Sequence, residues 1–158
     1  MTYKPAWANA GGDIGCRVYH SVGYTIPKDV ATVHPFDSER YDTDGMHSNV
    51  TNNSRITFTT AGKYSLIAVI NFAGAANNVG DRTIRFRKNG TDTIAIVSVP
   101  ALGGLNFDHE IHLATVDEFA ANDYVEVLLT QGEAFDLATE ATPVRATEFM
   151  ARKLSKAG

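Results

Sequence analysis

The sequence predicts an all-β fold of the jelly-roll or β-sandwich type, and three observations support this prediction. Short stretches rich in Val, Ile, Thr, Tyr and Phe recur along the chain, separated by Gly, Pro, Asn and Asp. Asn89-Gly90, a strong hairpin signal, lies between two of these stretches. No window keeps the apolar period of a helix. Eight or nine short strands joined by turns are typical of a sandwich or jelly roll.

The predicted strands follow one another along most of the chain. They comprise residues 17–22, 30–36, 55–59, 64–72, 82–88, 92–99, 109–116, 124–131 and 146–154. Residues 25–29 (TIPKD) predict a turn, because Pro27 cannot donate to a strand ladder. The polar segment 117–123 predicts a short loop between two strands.

The stretch 64–72 is apolar on both faces of a strand, since alternate side chains point to opposite sides. One face carries Tyr64, Leu66, Ala68, Ile70 and Phe72, and the other carries Ser65, Ile67, Val69 and Asn71. A strand with one solvated face would alternate apolar with polar residues. We therefore expect one face in the core and the other covered by a second subunit, as also for 92–99.

Length and composition fit one globular domain. The chain has 158 residues, of which 44% are hydrophobic and 20% charged, so it can bury a core. Lys plus Arg number 14 and Asp plus Glu 18, a net charge of −4. That balance disfavours non-specific binding to nucleic acid or to an anionic membrane.

Targeting signals and cysteine pairs are not expected. The longest apolar run, 66–70, is far shorter than a membrane helix, and residues 1–10 do not resemble a secretory signal. We therefore expect synthesis in a cytoplasm. The single cysteine, Cys16, excludes an intrachain disulfide. We interpret it as a small buried apolar residue.

Residues 1–15 differ from the rest and are expected to form an extended N-terminal arm, followed by a jelly-roll domain over residues 16–158. The arm has no period and contains Tyr3, Pro5, Trp7 and several glycines. A tryptophan is not expected in a fully solvated tail, because its large apolar ring would remain exposed to water. Two interpretations follow: Trp7 packs on its own domain, or the arm docks on a neighbouring subunit.

No catalytic motif is present, so we expect no enzyme activity, no catalytic residue and no cofactor. His109 and His112 suggest a metal site, but zinc-binding histidines on a helix are spaced i and i+4. A strand places these two rings on opposite faces. No metal site is therefore expected there.

Asp42 and Asp44 suggest a calcium loop, yet the twelfth position counted from Asp42 is Asn53 rather than glutamate. We favour an Asp-rich turn, with calcium binding as the alternative.

A basic stripe follows the predicted strand 82–88. It consists of Arg82, Arg85, Arg87 and Lys88. Single-stranded nucleic acid would need interleaved aromatic side chains, and Phe86 alone is near, on the other face. We interpret the stripe as a solvated outer face, or as a surface that meets acidic groups of a neighbouring subunit.

A family resemblance adds to this interpretation. In their order and spacing, several segments resemble the globular head of complement component 1q, a branch of the tumour necrosis factor-like jelly rolls. They are 36–42 (FDSERYD) with Gly45, 61–64 (AGKY), 85–90 (RFRKNG), 122–126 (NDYVE) and 147–151 (TEFMA). The likeness extends from Cys16 to Leu154. Where the family often has Gly, this chain has Asn122, which also tolerates left-handed φ.

The chain most resembles the bacterial and bacteriophage members of this family. They share 17–20 (RVYH), 26–27 (IP), 36–42 and 80–82 (GDR), and they are usually virion or tail-fibre components. The resemblance implies a homotrimer, with residues of two strands in the core or at the trimer axis. These residues are Tyr64, Leu66, Ile70, Phe72 and Phe149.

We therefore expect a trimeric capsid decoration protein of a bacteriophage virion, made in the host bacterial cytoplasm. Its N-terminal arm, through Tyr3, Pro5 and Trp7, and its trimer base would anchor it to the major capsid protein or another virion protein. Since no collagen-like or coiled-coil segment precedes the domain in this sequence, we favour a capsid role over a fibre tip.

The alternative function is the receptor- or glycan-binding tip of a tail fibre. Its recognition surface would lie in the loops, and Phe107, Asp108 and His109 are the best candidate stretch. A secreted or spore-surface trimer is a third interpretation, disfavoured by the expected lack of an export signal.

Overall fold

Fourteen β-strands, and no α-helix, make up the part of the chain that the structure describes. The structure is a computed structural model, and it describes residues 13–75, 79–101, 107–142 and 145–154. Tyr3, Pro5 and Trp7 of the predicted arm lie outside the described residues. Within these four ranges no helix is long and apolar enough to span a membrane.

The strands are short at the start of the chain and long in its centre. They are β1 (Gly15–Tyr19), β2 (Tyr24–Ile26), β3 (Thr32–Val33), β4 (Ser38–Asp42), β5 (Arg55–Thr57), β6 (Gly62–Phe72), β7 (Asp81–Lys88), β8 (Asp92–Pro100), β9 (His109–Phe119), β10 (Tyr124–Gln131), β11 (Leu137–Thr139), β12 (Ala141–Thr142), β13 (Arg145–Ala146) and β14 (Glu148–Lys153).

Two antiparallel sheets form a sandwich. The seven-stranded sheet, here sheet A, runs β9–β6–β14–β1–β4 across its width, and β11 and β2 continue it beyond the end of β6. The five-stranded sheet, here sheet B, has β3 and β5 beside β10, followed by β7 and β8. Strands β12 and β13 pair with each other. β6 therefore lies between β9 and β14 in sheet A.

Aromatic rings fill the space between the sheets. Phe149 of sheet A lies 5.4 Å from Phe86 of sheet B and 5.9 Å from Phe36, measured between ring centroids. Nearer the start of β6, Phe58 stacks on Phe119 at 3.9 Å. Each such pair contributes about 1 kcal/mol beyond the area it buries. The rings thus fix how the two sheets lie over each other.

The turns between long strands follow the predicted chemistry. Asn89 and Gly90 join β7 to β8 with φ of 51° and 77°, so the predicted hairpin is confirmed. Asn122 precedes β10 with φ of 72°, which asparagine tolerates because its short polar side chain bonds locally. The left-handed turn expected at Asn122 is therefore present.

Several strand limits differ from the sequence prediction. β1 already begins at Gly15, the last residue assigned to the arm. β9 continues to Phe119 through residues expected to be a loop. The segment expected as a strand over 30–36 forms only the two-residue β3, because its backbone bonds leave sheet B after His34. β2, β4 and the short strands β11 to β13 were not predicted. Thr25 and Ile26, expected in a turn, instead pair with β11, and β2 ends before Pro27, which cannot donate to the ladder.

Candidate functional site on the outer face of sheet A

Sheet A turns one face to the core and leaves the other, here the outer face, uncovered in the single chain. Ile67 and Val69 of β6 lie on the outer face and are half-buried. Met150 of β14 and Ala114 of β9 lie directly beside Ile67 on either side. Val116, which is 57% exposed, extends the same surface. The centre of this face is therefore an apolar strip that water reaches.

A charged cluster borders the apolar strip. Glu148 of β14 lies beside Val69, and its side chain is only 7% exposed. Arg17 donates its Nε to Glu148 Oε2 at 2.7 Å, and Arg40 donates its Nε to Oε1 at 2.6 Å. The Arg40 guanidinium also covers the Tyr19 ring at 4.8 Å from its centroid. Two cations and one anion leave one positive charge in excess.

The side of the sandwich between β8 and β9 is also incompletely covered. Val97 and Val99 of β8 face the core but remain partly exposed, since β8 and β9 are the edge strands of their sheets. A cleft at this side is lined by these two valines, His109 and Ile111. On the outer surface of the same strand, Ile96 is 55% exposed.

The residues proposed for the core or the trimer axis all lie in the core. Tyr64, Leu66, Ile70, Phe72 and Phe149 are fully buried within the single chain. Tyr64 also donates its hydroxyl to Thr60 O at 2.6 Å, and burial raises its pKa to about 12. The opposite face of β6, with Ile67 and Val69, is the one left for a partner.

The two predicted candidate histidines point to opposite faces, as the strand pattern indicated. His109 is buried and faces the core, and burial, followed by the charge of Arg82, lowers its pKa. His112 lies on the outer face, where its Nε2 is 2.8 Å from Glu110 Oε1. No group of three or more His, Cys, Asp or Glu side chains placed to hold a metal occurs within the described ranges.

Asp42 and Asp44 form a hydrogen-bonded turn. Asp42 accepts from the backbone N–H groups of Asp44 at 3.1 Å and His47 at 2.9 Å. Asp44 accepts from the Thr59 hydroxyl. Both carboxylates thus serve the turn between β4 and β5, as expected for an Asp-rich turn.

The basic stripe was wrong in two members, Arg82 and Lys88, which lie on the core-facing side of β7. Lys88 reaches the end of the sandwich, where its Nζ lies 4.6 Å from the Phe119 ring centroid and 3.4 Å from Asp123 Oδ2. Arg85 and Arg87 lie on the outer face of sheet B, and Arg87 pairs with Glu126 at 2.8 Å. Arg82 instead points into the sandwich and is fully buried against Glu133. The reason is strand parity: Arg82 shares its face with Ile84 and Phe86, which are core residues.

Cys16 is a buried apolar residue, as predicted. It has no exposed surface, and burial together with the carboxylates of Asp42 and Glu39 raises its thiol pKa well above the ordinary value. The thiol is therefore protonated and unreactive at neutral pH.

A cluster of three rings lies inside the sandwich where sheet A meets the segment after β3. The centroid of the His34 ring lies 5.3 Å from the centroid of the His20 ring and 5.3 Å from that of the Tyr24 ring. His34 Nε2 is 3.1 Å from Thr139 Oγ1. Burial, and next the neighbouring His20, lower the His34 pKa to about 3, against a smaller opposing effect of Asp37. The folded protein therefore holds His34 neutral. Sequence patterns gave no sign of this cluster, because its rings come from separate segments.

Acidification is expected to destabilise the fold through His34. Below about pH 6.5 the unfolded chain binds a proton on this histidine, whereas the folded chain does not. The free energy of unfolding therefore decreases as the pH is lowered from about 6.5 to about 3. Between pH 6.5 and 5 this loss is about 2 kcal/mol. Urea unfolding at both pH values, at one protein concentration, measures it. His34→Phe should remove this part of the loss; an unchanged loss in the variant would contradict the assignment.

The comparisons with known proteins identify the fold. No protein-family model matches the sequence, and no curated protein matches it. The structure of Eiger TNF from S. frugiperda matches with a TM-score of 0.66 at 13% identity, covering 92% of this chain and 95% of that one. The crystal structure of murine APRIL matches with a TM-score of 0.66 at 10% identity, covering 90% and 99%. The chain thus has the tumour necrosis factor-like jelly-roll fold that the resemblance implied.

Proposed function

We propose that this protein is a structural protein of a bacteriophage virion, a homotrimer that decorates the capsid. The N-terminal arm and the base of the trimer hold it to the major capsid protein or another virion protein. It acts by binding alone, with no catalytic step and no cofactor. It is made in the host cytoplasm and functions in the assembled virion.

The apolar strip on the outer face of sheet A is the observation that supports self-association. Ile67, Val69 and Met150 are half-buried there and Val116 is largely exposed, so a second copy that covers them removes apolar surface from water. Exposed apolar strips of this kind mark interaction surfaces. A closed ring of three copies would cover the strip of every copy at once.

The virion role rests on the family resemblance. The segments 17–20, 26–27, 36–42 and 80–82 are those that resemble bacterial and bacteriophage members. In the structure these segments have structural roles, since Val18 and Phe36 are core residues and Gly80 has a φ of 70°. They therefore support a related fold, and particle experiments are needed to test the role.

Counting copies in purified particles tests this function. A decoration protein that covers a capsid lattice is present in hundreds of copies, because weak contacts repeated over the shell stabilise it together. Quantitative mass spectrometry of particles against the major capsid protein gives the ratio. A few copies per particle would contradict decoration and favour a tail component, and absence from particles would overturn the virion role.

Deleting residues 1–12 is expected to abolish particle binding while the trimer persists. The deletion leaves Asp13 and the whole of β1, and Arg152 Nη2 still pairs with Asp13 at 3.0 Å. A chain that lacks residues 155–158 is the control, since it loses a terminal segment of a different kind. Co-sedimentation with undecorated capsids and light scattering measure binding and trimer mass. A deletion variant that still binds capsids would contradict anchoring by the arm.

The tip of a tail fibre is the second candidate function. Phe107, 57% exposed, lies next to Asp108, which accepts a hydrogen bond from the Gly74 backbone at 3.0 Å. An exposed ring beside a fixed carboxylate suits a sugar or a receptor side chain. Adsorption of phage to host cells in the presence of the purified protein tests this role, because a receptor-binding tip would compete and a decoration protein would not.

A further inference from the structure

The outer face of sheet A is electrically polarised across its width. Its β9 edge carries Glu110 and Glu118, both exposed. Glu118 lies directly beside Lys63 of β6, so it has a cation on its own chain. Glu110 lies beside the uncharged Asn71, and its side chain is 50% exposed next to His112. Glu110 therefore places an exposed carboxylate on the β9 edge.

The opposite edge is basic. Arg17 of β1 and Arg40 of β4 share the single carboxylate of Glu148. Their side chains are 40% and 41% exposed. A guanidinium has five N–H donors in a planar fork, so each arginine can bind Glu148 and a second carboxylate together. The β1–β4 edge therefore offers exposed donors and one excess positive charge.

These two edges cannot pair with each other within one chain. β6, β14 and β1 lie between β9 and β4, and neighbouring strands are about 4.8 Å apart. β9 is thus about 14 Å from β1 and about 19 Å from β4. The carboxylate on β9 and the arginines on β1 and β4 are too far apart to pair within one chain, but each can pair with the opposite edge of another copy.

A closed ring brings the two edges together. In a cyclic assembly every contact is heterologous, so one side of each copy meets the other side of the next. With the outer faces turned towards the symmetry axis, the β9 edge of one copy approaches the β1–β4 edge of its neighbour. Complementary charge at such a contact fixes register and excludes the reversed arrangement.

We propose that the β9 edge of each copy docks on the β1–β4 edge of the next copy, where Glu110 accepts hydrogen bonds from Arg17 and Arg40. This inference rests on the proposed homotrimer. The apolar strip supplies the association energy, and the charged edges set which sides meet. The partner is a second copy of this chain.

Charge variants of Glu110 test the docking because this side chain is exposed and its replacement leaves the core intact. The measured quantity is the concentration at which half of the chains are trimeric, from sedimentation, or the rate of subunit exchange if the trimer is too tight. Glu110→Lys should raise this concentration, or this rate, by about tenfold or more. Asp29→Lys is the matched control, since it makes the same reversal of charge at an exposed acid in the loop between β2 and β3.

A double-mutant cycle identifies the partner of Glu110. Glu110→Gln and Arg40→Gln should each weaken the trimer, and the double variant should be no weaker than the worse single one. Raising NaCl from about 50 to 500 mM should weaken the wild type more than Glu110→Gln.

The outcomes separate the docking from the trimer itself. A wild-type trimer that responds to Glu110→Lys no more than to Asp29→Lys would overturn the docking and leave the trimer standing. Additive effects in the cycle would overturn the pairing of Glu110 with Arg40. A wild-type protein that is monomeric at every concentration would overturn the proposed trimer, and the docking with it.

Discussion

Replacing Ile67 with aspartate is expected to give a folded monomer, whereas the same replacement at Ile70 is expected to prevent folding. The two isoleucines lie in one strand, β6, and differ in the face on which they lie. Ile67 is half-buried on the outer face, and Ile70 has no exposed surface. The pair therefore separates the loss of a subunit contact from the loss of the core with one chemical change.

The expected magnitudes follow from what surrounds each side chain. An aspartate at position 70 loses the buried apolar side chain, worth about 2–5 kcal/mol, and places a charge inside the sandwich away from water, which adds several kcal/mol. This exceeds the stability of many small domains. An aspartate at position 67 stays hydrated in the monomer, where Met150 and Ala114 flank it on an open face, but in the proposed trimer a neighbouring copy would cover it. Association should weaken by about 4 kcal/mol, or about 1,000-fold.

Sedimentation velocity and circular dichroism measure the two effects. Ile67→Asp should keep the β-sheet spectrum and sediment as a single chain, while Ile70→Asp should lose the spectrum or aggregate. A trimer of unchanged affinity in Ile67→Asp would show that the apolar strip is not the subunit interface. A folded Ile70→Asp protein would contradict the assignment of that face to the core.

The fold could be predicted from the sequence because its signals are local. Asn89-Gly90 marks the β7–β8 hairpin, and the alternation in β6 marks a strand apolar on both faces. The face of β6 that enters the core could not be predicted, since isoleucine occurs on both. The structure shows that the face with Tyr64 and Phe72 meets sheet B, because only the sandwich interior holds such large side chains.

The candidate site was less predictable, because its members are distant in the sequence. Glu148 and Arg17 are 131 positions apart, and only the β1–β14 pairing brings them to one face. Arg82 was assigned to a solvated stripe since arginine is rarely buried unless it is paired. Its partner, Glu133, is 51 positions away, and no local pattern reveals it.

Removing the charge of Arg82 is expected to destabilise the protein strongly. Its Nη2 lies 2.5 Å from Glu133 Oε1, and both side chains have no exposed surface. The same Glu133 oxygen accepts the backbone N–H of Val79 at 2.9 Å, so the carboxylate also anchors the start of β7. Arg82→Met would leave that carboxylate charged and buried, a loss of about 3–5 kcal/mol.

Two further variants decide whether the buried charge is the cause. Arg87→Met makes the same chemical change in the same strand, but Arg87 pairs with Glu126 near the surface, so it should lose only about 1 kcal/mol. Arg82→Met combined with Glu133→Gln removes both charges and keeps an oxygen acceptor for Val79. The double variant should therefore recover most of the stability lost in Arg82→Met.

Urea unfolding followed by circular dichroism measures these differences, and all variants are compared at one protein concentration because subunit association makes the apparent stability depend on concentration. Equal losses in Arg82→Met and Arg87→Met would mean that burial of the ion pair is not what makes Arg82 important. A double variant as unstable as Arg82→Met would show that the loss comes from packing of the arginine stem rather than from an uncompensated carboxylate. We expect the stability of the double variant to lie between that of Arg82→Met and that of Arg87→Met. This order follows only if Glu133 remains charged inside the sandwich once Arg82 is gone.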